Sequence, residues 1–219
     1  MRIRRAVECV VLFVVAPSVL AALMHPRLVF PAIWAIGALS LALLLLDPSF
    51  DRKHLWNFRG LRDSLLRILA RFAVLGPALA FALLLFEPHR LFTLPRERPG
   101  LWAIIMVGYP ILSVLPQEVA FRAMFIHRYR EVFPRAASLI LASAIAFGYA
   151  HVIMRNGWAI GFSAVGGVLF AATYLRSRSL LAASAEHALY GCWIFTVGWG
   201  WYFFGGSMAA APAITPVQP

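Results

Sequence analysis

The sequence predicts an all-α protein, a polytopic bundle of about seven (seven to eight) transmembrane helices. Two observations carry this. Of 219 residues, 62% are hydrophobic and 13% are charged, with a mean hydropathy of +0.79. Soluble domains carry about 25% charged residues. The apolar residues also form continuous blocks close to the ~20 needed to cross a hydrocarbon core as a helix. They do not alternate as lipid-facing strands do, and a helix satisfies its own backbone hydrogen bonds inside lipid.

The first block, Ala6–Leu23, follows Met1-Arg2-Ile3-Arg4-Arg5. That opening has the pattern of a signal peptide, but it serves equally as a first span because others follow. Leu28–Leu46 carries no charge. Asp47–Arg62 reads as a segment lying along the membrane surface, with Trp56, Phe58 and Leu61 in the interface and Arg59 and Arg62 at the headgroups. Ser64–Phe86 is the third span. The fourth, Gly100–His127, is too long for a straight crossing and contains Pro110 and Pro116, each of which tends to kink or break a helix. Ala136–Met154, Gly157–Leu175 and Ser179–Phe204 complete the set. Residues 1–206 form one transmembrane domain, and the uncharged Ala- and Pro-rich tail, 207–219, is expected to be disordered.

The net charge of +11 comes from 20 Lys and Arg against nine Asp and Glu. In a soluble chain this would point to nucleic acid. Here the charges sit in short loops, so topology explains them and nucleic acid is excluded as a partner. With the N-terminus in the cytoplasm, 14 basic residues fall on that side and five (Arg27, Arg90, Arg96, Arg98, Arg155) on the other. That asymmetry predicts a cytoplasmic N-terminus in a plasma membrane, with membrane lipid as the general partner. Cys9 and Cys192 lie in apolar segments and read as small core residues. Gly161, Gly166 and Gly167 suit close helix packing. Tyr149, Trp193, Trp199 and Trp201 read as packing or interface anchors, and His127 as a solvated helix end.

Ionisable groups within a bilayer are costly and usually functional. The candidates are Glu118, Arg122, His151, Glu186 and His187. Glu118 and Arg122 are four apart and can pair on one helix face. At ~1.5 Å rise per residue from the nearest cytoplasmic arginine, Glu118 lies ~18 Å deep, His187 ~13 Å and His151 ~24 Å. Helix tilt and the break at Pro116 are expected to bring them to one level. A carboxylate and two imidazoles in one pocket suit water activation and oxyanion stabilisation, and could also hold a divalent metal such as Zn2+.

The order Gln117-Glu118-Val119-Ala120-Phe121-Arg122, then Phe147-Gly148-Tyr149-Ala150-His151, then His187-Ala188-Leu189-Tyr190-Gly191 resembles the CPBP family of intramembrane proteases. That family includes the CAAX prenyl proteases and relatives linked to bacteriocin processing and self-immunity. Its motifs are Glu-Glu-x-x-x-Arg, Phe-x-x-x-His and His-x-x-x-Asn, and the resemblance spans about 112–195. It implies a bacterial inner-membrane endopeptidase that cleaves a membrane-anchored or lipidated peptide. Glu118, His151 and His187 would be catalytic, supported by Gln117, Arg122, Glu186 and Tyr190. The sequence departs from the family at Gln117, where the first Glu stands, and at Gly191, where the Asn stands. Three readings follow: Glu118 is the base, Glu186 supplies the missing carboxylate, or the protein binds peptides or a partner without cutting them. A transporter is disfavoured because internal repeats are not evident.

Overall fold

The computed structural model describes residues 2–23 and 28–203. Arg27, the end of the seventh predicted span and the tail at 207–219 lie outside them. Seven helices are long and apolar enough to cross a membrane: α1 (Arg2–Leu23), α2 (Val29–Leu46), α3 (Phe58–Phe86), α4 (Pro99–Tyr129), α5 (Ala136–Met154), α6 (Gly157–Ser177) and α7 (Leu180–Val197). The chain is therefore an integral multi-pass membrane protein. Large apolar side chains such as Leu66, Val74, Ile104 and Val107 remain 68–81% exposed, which is tolerable only where the solvent is lipid.

Local chemistry sets the helix ends. Asn57, Asn156 and Ser179 each accept a hydrogen bond from the backbone three residues on, at 2.9, 2.9 and 3.1 Å, capping α3, α6 and α7. Arg178 takes a left-handed conformation (φ 48°) to end α6 one residue before the α7 cap. Between α2 and α3, a 3-10 turn at Arg52–Leu55 buries Leu55 and leaves Trp56 and Phe58 68% and 69% exposed. Of the stretch expected along the surface, Phe58–Arg62 is already the start of α3.

The prolines of α4 do not break it. Two π-helical turns, Pro110–Val114 and Val119–Met124, flank the short stretch Leu115–Glu118. A proline lacks the amide that closes an α-turn, and its ring presses on the preceding carbonyl; a wider turn relieves both. The same device appears in α1, where Val11–Val15 is π-helical just before Pro17.

Burial orders the bundle. In α7, 56% of the central window is buried, against 6% in α1, so α7 is the core helix and α1 lies at the periphery. α7 packs on α3, α4 and α6, and α5 packs along α6. A side chain on Gly167 would stand 2.8 Å from Ala144 Cα, and one on Gly148 2.8 Å from Ala164 Cβ, so α5 and α6 meet through small residues. Of the three glycines expected at helix contacts, only Gly167 is one. Gly161 has open space, and Gly166 faces the ring of Phe170 on its own helix. Gly37 of α2 lies against Pro116, where an added Cβ would sit 2.5 Å from the proline Cβ.

The tryptophans serve as anchors. Trp193 and Trp199 donate to the carbonyls of Gly76 and Leu79, both at 2.8 Å, tying the end of α7 to α3. Tyr149 shares a hydrogen bond of 2.8 Å with Ser18. His127 is not a solvated end. Its Nε2 lies 2.9 Å from Asp47 Oδ2, with an 11% exposed side chain, and this pair joins the end of α4 to the end of α2.

Candidate active site

Glu118 closes the short α-helical stretch between the two π turns of α4, and both it and Arg122 are fully buried. The Arg122 Nε lies 3.3 Å from Glu118 Oε2. The guanidinium sits 4.5 Å over the Phe147 ring, and its Nη1 reaches Ser143 Oγ at 3.4 Å. Ser143 in turn donates to the Phe121 carbonyl at 2.8 Å. An aromatic face and a hydroxyl thus compensate the buried cation where water does not reach. Arg122 Nη2 is buried with no hydrogen-bond partner among the described residues.

The other carboxylate oxygen, Oε1, meets His187 Nδ1 of α7 at 2.9 Å. A carboxylate oxygen accepts, so the imidazole donates at Nδ1, which leaves the Nε2 lone pair to accept. The Tyr109 hydroxyl of α4 lies 3.0 Å from that Nε2. Two rings hold the imidazole: it stacks on Phe170 at 4.6 Å and 14°, and Phe147 meets it edge-on at 5.3 Å.

His151 ends α5 against the same Phe147 ring, with centroids 4.9 Å apart, and its Nδ1 is 2.8 Å from the Phe147 carbonyl. A carbonyl only accepts, so Nδ1 carries the hydrogen and Nε2 is an acceptor. Phe147 therefore organises the centre: its ring touches Arg122, His151 and His187, and its carbonyl sets a tautomer.

These groups border a cavity of about 240 Å³ whose walls include Tyr109, Phe147, His151, Ser163, Phe170, His187, Tyr190 and Gly191. Glu118 is not on its surface; the wall there is His187. Leu75 of α3 and Val165 of α6 also line it while being 37% and 63% exposed, so the cavity reaches the lipid-facing surface between those helices. The Tyr190 hydroxyl is buried with no protein partner.

Two expected residues lie elsewhere. Glu186 is next to His187 in sequence, but ~100° of helical rotation sends it to the other side of α7. There Arg71 Nη2 lies 3.0 Å from Oε1, and Thr173 Oγ1 donates to Oε2 at 2.6 Å. It pins α3, α6 and α7 together and does not supply the centre's carboxylate. Gln117 donates to Ser113 Oγ at 2.7 Å and lines no part of the cavity. The expected metal set does not fit either. Among the described residues no group of three His, Cys, Asp or Glu side chains gathers around a point. Glu118 and His187 are directed at each other, and Tyr109 covers the remaining His187 nitrogen.

Tyr109 was not anticipated from sequence. Nine residues before Glu118, it falls ~180° away on a regular helix. The extra residue in the π turn at Pro110–Val114 brings it to ~80°. The signal available was the proline that follows it.

A buried carboxylate on one membrane-spanning helix thus holds a cavity-facing histidine on another. Residues 98–193, which include every motif residue, match the family model described as Type II CAAX prenyl endopeptidase Rce1-like. Over that stretch, a little under half of its length, the chain is similar to the CAAX-type protease family. No curated protein and no solved structure gave a match.

Proposed function

We propose that the protein is an intramembrane endopeptidase that hydrolyses a peptide bond of a membrane-anchored or lipidated substrate, with Glu118, His151 and His187 as its catalytic core. The observation that carries this reading is the Glu118–His187 contact of 2.9 Å, with Glu118 sealed behind the cavity wall and His187 in it. Glu118 acts through His187. Water in the cavity gives one hydrogen bond to His151 Nε2, which orients it, and loses a proton towards His187. The proton goes to His187 because the resulting cation lies against a carboxylate, whereas His151 has only a carbonyl. The hydroxide oxygen bonds to the scissile carbonyl carbon, and the carbonyl π pair moves onto oxygen. On collapse the C–N bond breaks, and His187 returns its proton to the leaving amine.

The exposed walls at Leu75 and Val165 suit a substrate arriving from the lipid. The basic residues at the cytoplasmic helix ends set the orientation, with the N-terminus inside. The mechanism proposed is metal-free, since the donor atoms already satisfy one another. The competing reading is a peptide-binding protein on a protease fold, and it draws on the amide at Gln117.

The test is protein in nanodiscs with a library of membrane-anchored peptides, read by mass spectrometry with and without chelator. Cleavage that survives chelation and is lost in His187→Asn supports the mechanism. Cleavage abolished by chelation and restored by zinc contradicts the metal-free chemistry. No cleavage at all contradicts the enzyme and favours the binding protein.

A further inference from the structure

Gly191 lies one turn after His187 on α7. A Cβ there would run into the Tyr109 ring and hydroxyl, overlapping Cε1, Cζ and Oη. The space beside His187 that a side chain at 191 would fill is occupied by a tyrosine from another helix. That tyrosine meets the imidazole nitrogen facing the cavity at 3.0 Å. The ring is seated edge-on against Phe195 at 5.4 Å and against His187 at 6.0 Å, and both Tyr109 and Gly191 line the cavity.

From this we propose that Tyr109 is a third member of the catalytic chain, Glu118–His187–Tyr109, and that Gly191 is the space that admits it. The catalytic part rests on the proposed hydrolase reading; the pairing of Tyr109 with Gly191 does not. His187 Nδ1–H is committed to Glu118, so Nε2 accepts, and the Tyr109 hydroxyl is the donor. Its oxygen keeps lone pairs to accept from water. Water can pass a hydrogen to Tyr109 Oη as the original Tyr109 hydrogen moves to His187 Nε2. One O–H bond of water breaks and one N–H bond forms on His187. Tyr109 ends as neutral as it began, and the steps reverse when the amine leaves. A glycine at 191 therefore forms one half of a replacement: the polar group comes from α4, brought round by the π turn at Pro110–Val114.

The test uses the full chain in nanodiscs and reads both rate and stability. In Tyr109→Phe, kcat falls on the order of 100-fold, the scale of one acid–base contribution, with KM within twofold. The proton inventory in H2O/D2O mixtures changes from bowed to linear, because one proton moves in place of two. A merely structural role would not straighten it. Gly191→Ala lowers the apparent Tm in the wild-type background but has little effect on top of Tyr109→Ala, where the ring is gone. Tyr109→Phe within threefold of wild type, or a bowed inventory in it, overturns the proton role. Equal Tm loss from Gly191→Ala in both backgrounds overturns the pairing. If wild type cleaves nothing while the Tm coupling holds, the hydrolase reading fails and takes the proton role with it. If wild type cleaves and the coupling is absent, the failure belongs to Tyr109 alone.

Discussion

Replacing Arg122 by methionine removes one charge of a pair in which neither side chain is exposed, and leaves Glu118 enclosed with His187 as its one charge-compensating neighbour among the described residues. Breaking a buried pair from one side costs about 3–5 kcal/mol. The lost contact with the Phe147 face adds roughly 0.5–2 kcal/mol. For a chain of this size each kcal/mol moves the melting temperature by about 2–4 °C, so the apparent Tm should fall by roughly 7–28 °C. The companion variant carries Glu118→Gln as well. It removes both charges, and neutral replacements of buried pairs are often close to neutral in stability, so most of the loss should return. The assay is thermal unfolding in one detergent, followed by intrinsic tryptophan fluorescence. A drop under about 2 °C, or a double variant no more stable than the single, would refute the claim that the two charges are enclosed together.

Two further outcomes follow from contacts outside the centre. His127 and Ser49 hydrogen-bond the Asp47 carboxylate and hold it well below the usual carboxylate range. A depressed carboxyl contributes stability above the unfolded pKa of about 4 and loses it as pH falls further. Wild type should therefore lose Tm below about pH 4, and Asp47→Asn should start lower and lose less; parallel pH curves would contradict this. Gly37→Ala drives a Cβ to 2.5 Å from Pro116, and separating α2 from α4 should destabilise by about 1–3 kcal/mol. An unchanged denaturation midpoint would show that the two helices do not meet there.

The seven spans were legible because a membrane helix is set by length and hydropathy, both one-dimensional properties. The Glu118–Arg122 pair was equally legible, since four residues apart on one helix is a local relation. What could not be read was rotation. A π turn resets the helical phase without leaving a distinct pattern, so Tyr109 was invisible as a partner of His187, and α4 read as broken where it is only widened. Glu186 turns away from His187 for the related reason that adjacency in a helix means divergence. The sequence places Glu186 beside His187, yet its partner is Arg71, 115 positions away. His127 looked solvated because nothing local announces Asp47, and the glycine at 191 could be read only as a loss until its neighbour was known.

The carboxylate proposed to serve the centre is Glu118 behind His187, and not Glu186 behind Arg71. The measurement that tests this most directly is the initial rate of peptide cleavage per folded molecule in nanodiscs, for wild type, Glu118→Gln and Glu186→Gln. Cleavage abolished in Glu118→Gln, with the Glu186→Gln rate within a fewfold of wild type and its Tm lowered, is the predicted result. Cleavage that survives Glu118→Gln and is lost in Glu186→Gln would contradict it.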